Sequence, residues 1–310
     1  MIHPPKFTRR AALAAGAALP VAATLTPTLA RAGGHSEGPK NAIQNTFTLG
    51  DFQVATLLAG TRVVEEPQNI FGMNVSEDEF AAASAENFIP ADKTRFYFTP
   101  TVVNTGSETV LFDTGLNAGG TLPALAEAGY APEDIDVVVI THMHGDHIGG
   151  LSTEGAPTFA NARYVASAVE YDHWAGAGND GFEANVRPLT EKIGFVEDGA
   201  SLASGITALP TPGHTPGHMG FMIESDGQQL ALAADLANHY VWSLSNPDWE
   251  VKFDMDNGQA AASRRSMLDM LATDKVPMIG YHMPWPAMGY VETRDQGFHY
   301  VPASYQLMLE

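Results

Sequence analysis

Thr141-His142-Met143-His144-Gly145-Asp146-His147 places four metal-capable side chains within six positions, in the pattern H-x-H-x-D-H. Three more candidates follow: His214 in Thr211-Pro212-Gly213-His214, Asp235 in Ala233-Ala234-Asp235-Leu236, and His282 in Gly280-Tyr281-His282-Met283. Together they make five imidazoles and two carboxylates. One tetrahedral zinc takes four ligands, so seven are too many for a single ion. They suit two cations sharing a bridging group, an arrangement that serves hydrolysis when the ions lie about 3.5–4 Å apart.

The elements around these residues point the same way. Ile135-Asp136-Val137-Val138-Val139-Ile140 is a short β-branched run, as expected of a buried strand. The H-x-H-x-D-H ligands follow it directly, on a loop at a strand end, where α/β sheets tend to hold their sites. His142 and His144 are expected to face one ion, Asp146 and His147 its neighbour. Each distant ligand also follows a strand-like run: Ile206 to Pro210 before His214, Leu230 to Ala233 before Asp235, and Val276 to Ile279 before His282.

On these motifs the chain resembles the metallo-β-lactamase superfamily, over roughly residues 46–310. The resemblance implies an α/β fold, an αββα four-layer sandwich with two sheets flanked by helices and a dinuclear site at their edge. It assigns His142, His144 and His214 to one ion and Asp146, His147 and His282 to the other, with Asp235 bridging. It makes Asp146 and Asp235 the expected catalytic carboxylates. Asp113, in Leu111-Phe112-Asp113-Thr114-Gly115, would lie behind the site and orient a ligand; a turn aspartate bonding its own backbone is the alternative.

The second half resembles the methyl parathion hydrolase and N-acyl homoserine lactonase group more narrowly. The carriers are Asp235-Leu236, Asn246-Pro247, Asp254-Met255-Asp256 and Gly280-Tyr281-His282-Met283-Pro284-Trp285-Pro286, with Thr211 to His218 shared by both branches. Three residues after the bridging aspartate, lactonases carry a tyrosine thought to contact the substrate carbonyl; here the position is Asn238. Asn238, Trp174 and Trp285 are the expected substrate-binding residues, with Trp242 a further candidate. Each tryptophan is equally readable as packing. His218 is expected to be structural and His239 to lie in the pocket or a loop. His35, His173 and His299 are assigned to structure or solvent.

The N-terminus reads as a targeting segment. His3-Pro4-Pro5-Lys6-Phe7-Thr8-Arg9-Arg10 precedes an apolar stretch from Ala11 to Leu19 and an A-x-A-like end at Ala30-Arg31-Ala32. The pattern predicts a twin-arginine signal over residues 1–32, a linker over 33–45 and one hydrolase domain over 46–310. The apolar run is too short to span a bilayer, so the expected location is periplasmic or secreted.

The chain holds no cysteine, which excludes disulfides, thiolate ligands and a thiol nucleophile. Its 16 basic and 36 acidic residues give a net charge of −20, and losing Lys6, Arg9, Arg10 and Arg31 takes that to about −24. Nucleic-acid binders need clustered cations, so a polyanion partner is not expected. A small-molecule substrate is.

Two divalent ions, zinc by default with manganese, cobalt or iron accepted by the same donors, lower the pKa of a shared water from about 15.7 toward 7. The expected reaction is attack by a bridging hydroxide on a carboxylic ester or lactone, such as an N-acyl homoserine lactone. A phosphotriester is the alternative, and a non-catalytic metal-binding protein the third reading. Residues 60–94 look irregular, with Phe71, Phe80 and Phe88 among acids and alanines, apart from a short helix opened by Ser76-Glu77-Asp78-Glu79 through Ala85 with Ser76 as N-cap; they are expected to form a lid or a homodimer arm.

Overall fold

Strand periodicity builds the layers. In Thr109–Phe112, Val110 and Phe112 face one way and Leu111 the other. Val110 and Phe112 enter the core between two sheets, while Leu111 packs with Leu125 of the helix Ala118–Glu127. Val137 and Val139 repeat this against Val138. Strands buried on both faces read as continuous apolar runs rather than alternating ones.

The computed structural model describes residues 42–304. The expected signal peptide, residues 33–41 of the expected linker and the end of the chain from Tyr305 lie outside them; Gln44 and Asn45, expected in the linker, open the first strand. The first sheet has the spatial order Gln44–Leu49, Phe52–Leu57, Thr101–Asn104, Thr109–Phe112, Val137–Val139, Arg163–Ser167, Ile193–Val196. The second runs Ser201–Ala203, Ile206–Pro210, Met219–Ser225, Gln228–Ala234, Met278–Gly280, Met288–Arg294, Gly297–Pro302. Side chains of both sheets share one core, including Val54, Phe112, Val139, Phe221 and Leu232. Helices Ala118–Glu127 and Ala168–Ala177 cover the outer face of the first sheet. Helix Asn257–Asp274 lays Met267, Leu268 and Leu271 on the second. This is the αββα sandwich expected from the sequence. No helix among the described residues is long and apolar enough to cross a membrane.

Residues 60–94 hold the expected helix capped by Ser76 but are otherwise more ordered than expected. Gly60–Glu65 pairs antiparallel with Lys93–Phe98, from Gly60 opposite Phe98 to Glu65 opposite Lys93. Between them lies the helix Glu77–Glu86, whose N-cap Ser76 accepts from the Glu79 N–H at 3.2 Å. Phe71 and Phe80 are buried, and only Phe88 is exposed, at 97%. Phe71 and Phe80 lie 5.5 and 4.8 Å from the Trp242 ring, and Phe80 also stacks on Trp249 at 5.8 Å. Those partners sit some 160 positions downstream, so no local reading could find them. The run from Arg95 to Val103 reads as one strand in the sequence, but it breaks at Thr99-Pro100, where proline offers no N–H to a ladder. Lys93–Phe98 stays in the small sheet and Thr101–Asn104 joins the large one.

Candidate metal centre

The candidate residues gather at the C-terminal ends of parallel strands. Phe112 leads to Asp113, Val139 to His142, Ala234 to Asp235, and Gly280 to His282. The two sheets converge there. Asp113 (φ 60°) and Ala234 (φ 46°) have left-handed backbones, sparsely populated for residues with a Cβ. At Ala234 the strand register also shifts, which turns Asp235 off the end of its ladder. Asp146 and His147 sit not on an open loop but in the one-turn helix Gly145–Ile148.

Seven side chains converge. Three overlapping triads form, His142–His144–His214, His142–His147–Asp235 and Asp146–His147–His282, with the ligand atoms of each triad within 4.8 Å of one another. His144 Nδ1 lies 3.1 Å from His142 Nε2 and 3.0 Å from His214 Nε2. Asp235 Oδ2 is 3.4 Å from His214 Nε2 and 3.2 Å from His282 Nε2. His147 Nε2 stands 3.3 Å from Asp235 Oδ1, and Asp146 Oδ2 is 3.4 Å from His282 Nε2. A tetrahedral ion with ligand bonds near 2.0–2.1 Å has edges of about 3.3 Å. The observed spacings cluster around that value, and Asp235 reaches both groups.

An outer ring of hydrogen bonds aims the lone pairs inward. His147 Nδ1 donates to Asp113 Oδ2 at 2.8 Å, His214 Nδ1 to Asp254 Oδ1 at 2.8 Å, and His282 Nδ1 to the Tyr97 carbonyl at 2.7 Å. Asp113 also accepts from the Thr141 N–H and hydroxyl, so the Thr141 oxygen is left to accept from His142 Nδ1 at 3.2 Å. With those nitrogens donating outward, Nε2 of His142, His147, His214 and His282 is the free donor to a cation. Two buried atoms, His147 Nε2 and Asp235 Oδ1, have no hydrogen-bond partner among the described residues. Buried polar atoms are rarely left so. The residues present therefore fit a pair of cations.

Charge tells the same story. Burial alone would lower the pKa of His147, but Asp235, Asp113 and Asp146 outweigh it and raise it well above the usual value. His214 is held at about 9: burial opposes its charge, and its hydrogen bonds to the Asp235 and Asp254 carboxylates prevail. His144 is pushed down to about 3 by burial and by His214. Burial would raise Asp235, yet His282 and His147 hold its carboxyl well below the usual range. In this cluster of carboxylates positive charge is favoured, and protons supply it when nothing else does. A cation replaces them.

Above the cluster opens a cavity of about 490 Å³. Asp146, His144, His214, Asp235 and His282 form its floor; Phe96, Phe98, Leu116, Ile70 and Phe253 wall it, with Arg62 and Lys252 at its sides. None of the three expected substrate contacts lines it. Asn238 is buried, and its amide donates to Asp235 Oδ2 at 2.8 Å, so it supports the bridging carboxylate. Trp174 is buried edge-on to His144 and donates its indole N–H to Glu170 at 2.7 Å. Trp285 is half-buried, away from the cavity. Trp242 packs under residues 60–94 and donates to Ser84. Phe96 and Phe98 come from the strand Lys93–Phe98, and Arg62 from its partner Gly60–Glu65, a stretch that reads as irregular in the sequence. His218 is buried and accepts the Asp235 N–H through Nε2 at 3.1 Å, outside the triads.

Three supporting residues escaped sequence reading. Arg264, fully buried, donates to Asp254 Oδ2 and to the carbonyls of Leu236 and Pro247. Tyr281 donates to the Asp146 carbonyl and lies 3.9 Å from the His147 ring. Glu170 is wholly buried. An acid in the first turn of a helix is so ordinary that position 170 carries no signal of its own.

The fold and cavity define a class: an αββα protein holding a carboxylate–histidine cluster suited to two cations where its sheets meet. The family model of the metallo-beta-lactamase superfamily matches residues 99–282, and the chain belongs to that superfamily. An N-acyl homoserine lactonase of a Bacillus species is 29% identical over 155 residues, which is 50% of this chain and 58% of that protein. The chain thus spans just over half the length of the curated relatives it matches. The solved structure of AidC, a dizinc quorum-quenching lactonase in complex with its product, superposes with a TM-score of 0.78 at 26% identity, over 85% of this chain and 99% of that one. The hydrolase AbOPH, of the beta lactamase superfamily, gives 0.79 at 21% identity, over 86% and 99%, a likeness of fold.

Proposed function

We propose that the chain is a metal-dependent hydrolase that opens a lactone or carboxylic ester carrying an apolar chain. The observation that carries this is the convergence of seven ligand side chains, at tetrahedral-edge spacing, on the floor of an aromatic-walled cavity. Similarity to a dizinc lactonase over most of the chain supports it. His142, His144 and His214 would hold one ion, Asp146, His147 and His282 the other, with Asp235 shared. A pair of divalent ions, zinc by default, lowers the pKa of water and polarises a carbonyl oxygen.

The rest falls to the chain. Phe96, Phe98, Leu116 and Phe253 exclude water and seat the apolar part of the substrate. Asp235, on the cavity floor, is placed to receive the proton released as water adds and to return it to the leaving alkoxide. Asn238 keeps that carboxylate in place, since its amide already donates to Oδ2.

That engagement favours a second reading. Asn238 is not turned toward the cavity as a donor for a lactone carbonyl, and a phosphotriester, neutral and apolar, needs no such donor. Metal-loaded protein assayed on N-acyl homoserine lactones of different chain length, aryl esters and paraoxon-like triesters decides between them. Faster turnover of the lactones, rising with chain length, is expected. Phosphotriester turnover alone would replace the first reading with the second. No turnover on any of them, with two ions bound, would overturn both.

A further inference from the structure

Glu170 is a buried carboxylate near the cluster that, unlike Asp113 and Asp254, bonds none of the candidate ligand side chains. It lies in the first turn of helix Ala168–Ala177, and each of its oxygens takes two hydrogen bonds. Oε1 accepts from the Met143 N–H at 2.9 Å and the Trp174 indole N–H at 2.7 Å. Oε2 accepts from the Thr215 hydroxyl at 2.7 Å and the Gly217 N–H at 2.9 Å. Met143 stands between His142 and His144, and Thr215 follows His214. One carboxylate thus ties together the two loops that carry the first triad, one from each sheet.

The contact is close. A Cβ at Gly217 would lie 2.3 Å from the Glu170 backbone nitrogen, so only glycine lets the second loop approach. Asp254 orients the His214 ring, but it bonds nothing on the His142–His144 loop. The other triad is held by different groups: Asp113 on His147 and Tyr281 on the Asp146 backbone.

We propose that Glu170 is a positioning residue for one ion of the pair: it sets the separation of His142 and His144 from His214 and leaves the Asp146–His147–His282 triad untouched. The inference rests on the two-ion reading above. Glutamine keeps the shape of Glu170 but turns one oxygen into a donor. Facing Met143 and Trp174, that donor meets two N–H groups. Facing Thr215, it can use the hydroxyl as acceptor but strands the Gly217 N–H. The second orientation costs less, so the His214 loop is the one that loosens.

The test is zinc titration of the full chain against a chromophoric chelator, with a thermal melt to verify folding. The parent should take up two ions. Glu170→Gln should weaken one of them about 10–100-fold, as for other groups that hold a ligand in place, and leave the other unchanged. Gly217→Ala should show the same selective loss, and Thr215→Val a smaller one; these two decide if Glu170→Gln fails to fold. A folded variant binding both ions like the parent would overturn the proposal. So would equal weakening of both, which marks a general structural role. A parent that binds fewer than two ions would instead overturn the two-ion reading.

Discussion

At the scale of single residues, Asp235 faces the sharpest demand, because one carboxylate lies within 3.4 Å of histidines from both triads. Asp235→Asn replaces an acceptor oxygen with a donor and removes the shared negative charge. Metal content by mass spectrometry should fall from two ions to one or none, and kcat by at least about a hundredfold. A variant keeping both ions and full turnover removes Asp235 from the bridge. His239 makes a different prediction. Its Nδ1 accepts from the N–H groups of Val241 and Trp242, its ring stacks on Trp242, and burial pushes its pKa down to about 3. The unfolded chain therefore takes up the proton first, near pH 6.5, and stability falls with acidification from there down to about 3, by about 1.4 kcal/mol per unit. His239→Asn keeps an acceptor near Nδ1 and does not titrate. Denaturant midpoints between pH 6.5 and 5 should fall less steeply in the variant than in the parent; equal slopes would refute the assignment.

At the scale of elements, the segment that reads as irregular contributes one side of the cavity, through Arg62, Val64 and Ile70. The strand Lys93–Phe98 carries Phe96 and Phe98 to the cluster side, its partner Gly60–Glu65 carries Arg62, and Phe71 and Phe80 pin the rest through Trp242 and Trp249. Phe80→Ala removes a ring stacked on two indoles and should cost about 3–5 kcal/mol, measured by chemical unfolding. A loss below about 1 kcal/mol would mean that this cluster does not hold the wall. The strands bearing ligands were legible because each is a β-branched run ending in a histidine or an acid. The strand over 95–98 is legible too, but its pairing with Gly60–Glu65 is not, since that partner and its packing partners lie far away in the chain. The three expected substrate contacts failed for a related reason. Sequence does not say which way such a side chain points: Asn238, three positions after Asp235, and Trp174, far from every candidate ligand in sequence but packed against the His144 ring, each end in a hydrogen bond with an acid.

At the scale of the whole molecule, 36 acidic residues against 16 basic ones give a surface that repels polyanions, while Arg62 and Lys252 stand at the cavity. Neutral substrates with an apolar part fit both facts. Residues 1–32 carry the proposed export signal, which makes its own prediction. Replacing Arg9 and Arg10 by lysine should keep the protein in the cytoplasm, as read by fractionation of cells producing the full chain. Unchanged appearance outside the cytoplasm would exclude the twin-arginine route.

The order and chemistry of the candidate ligands were written in the chain itself, because strand-forming runs and metal-capable side chains announce themselves within a few positions. So were the two-sheet fold and the absence of thiol chemistry. What lay outside local pattern were the partnerships: which wall closes the cavity, which acids brace which histidines, and that Glu170 joins two ligand loops. Hydrogen bonds and ring stacks form between groups brought together by the packing of two sheets. Separation along the chain says nothing of them, and only the folded core decides.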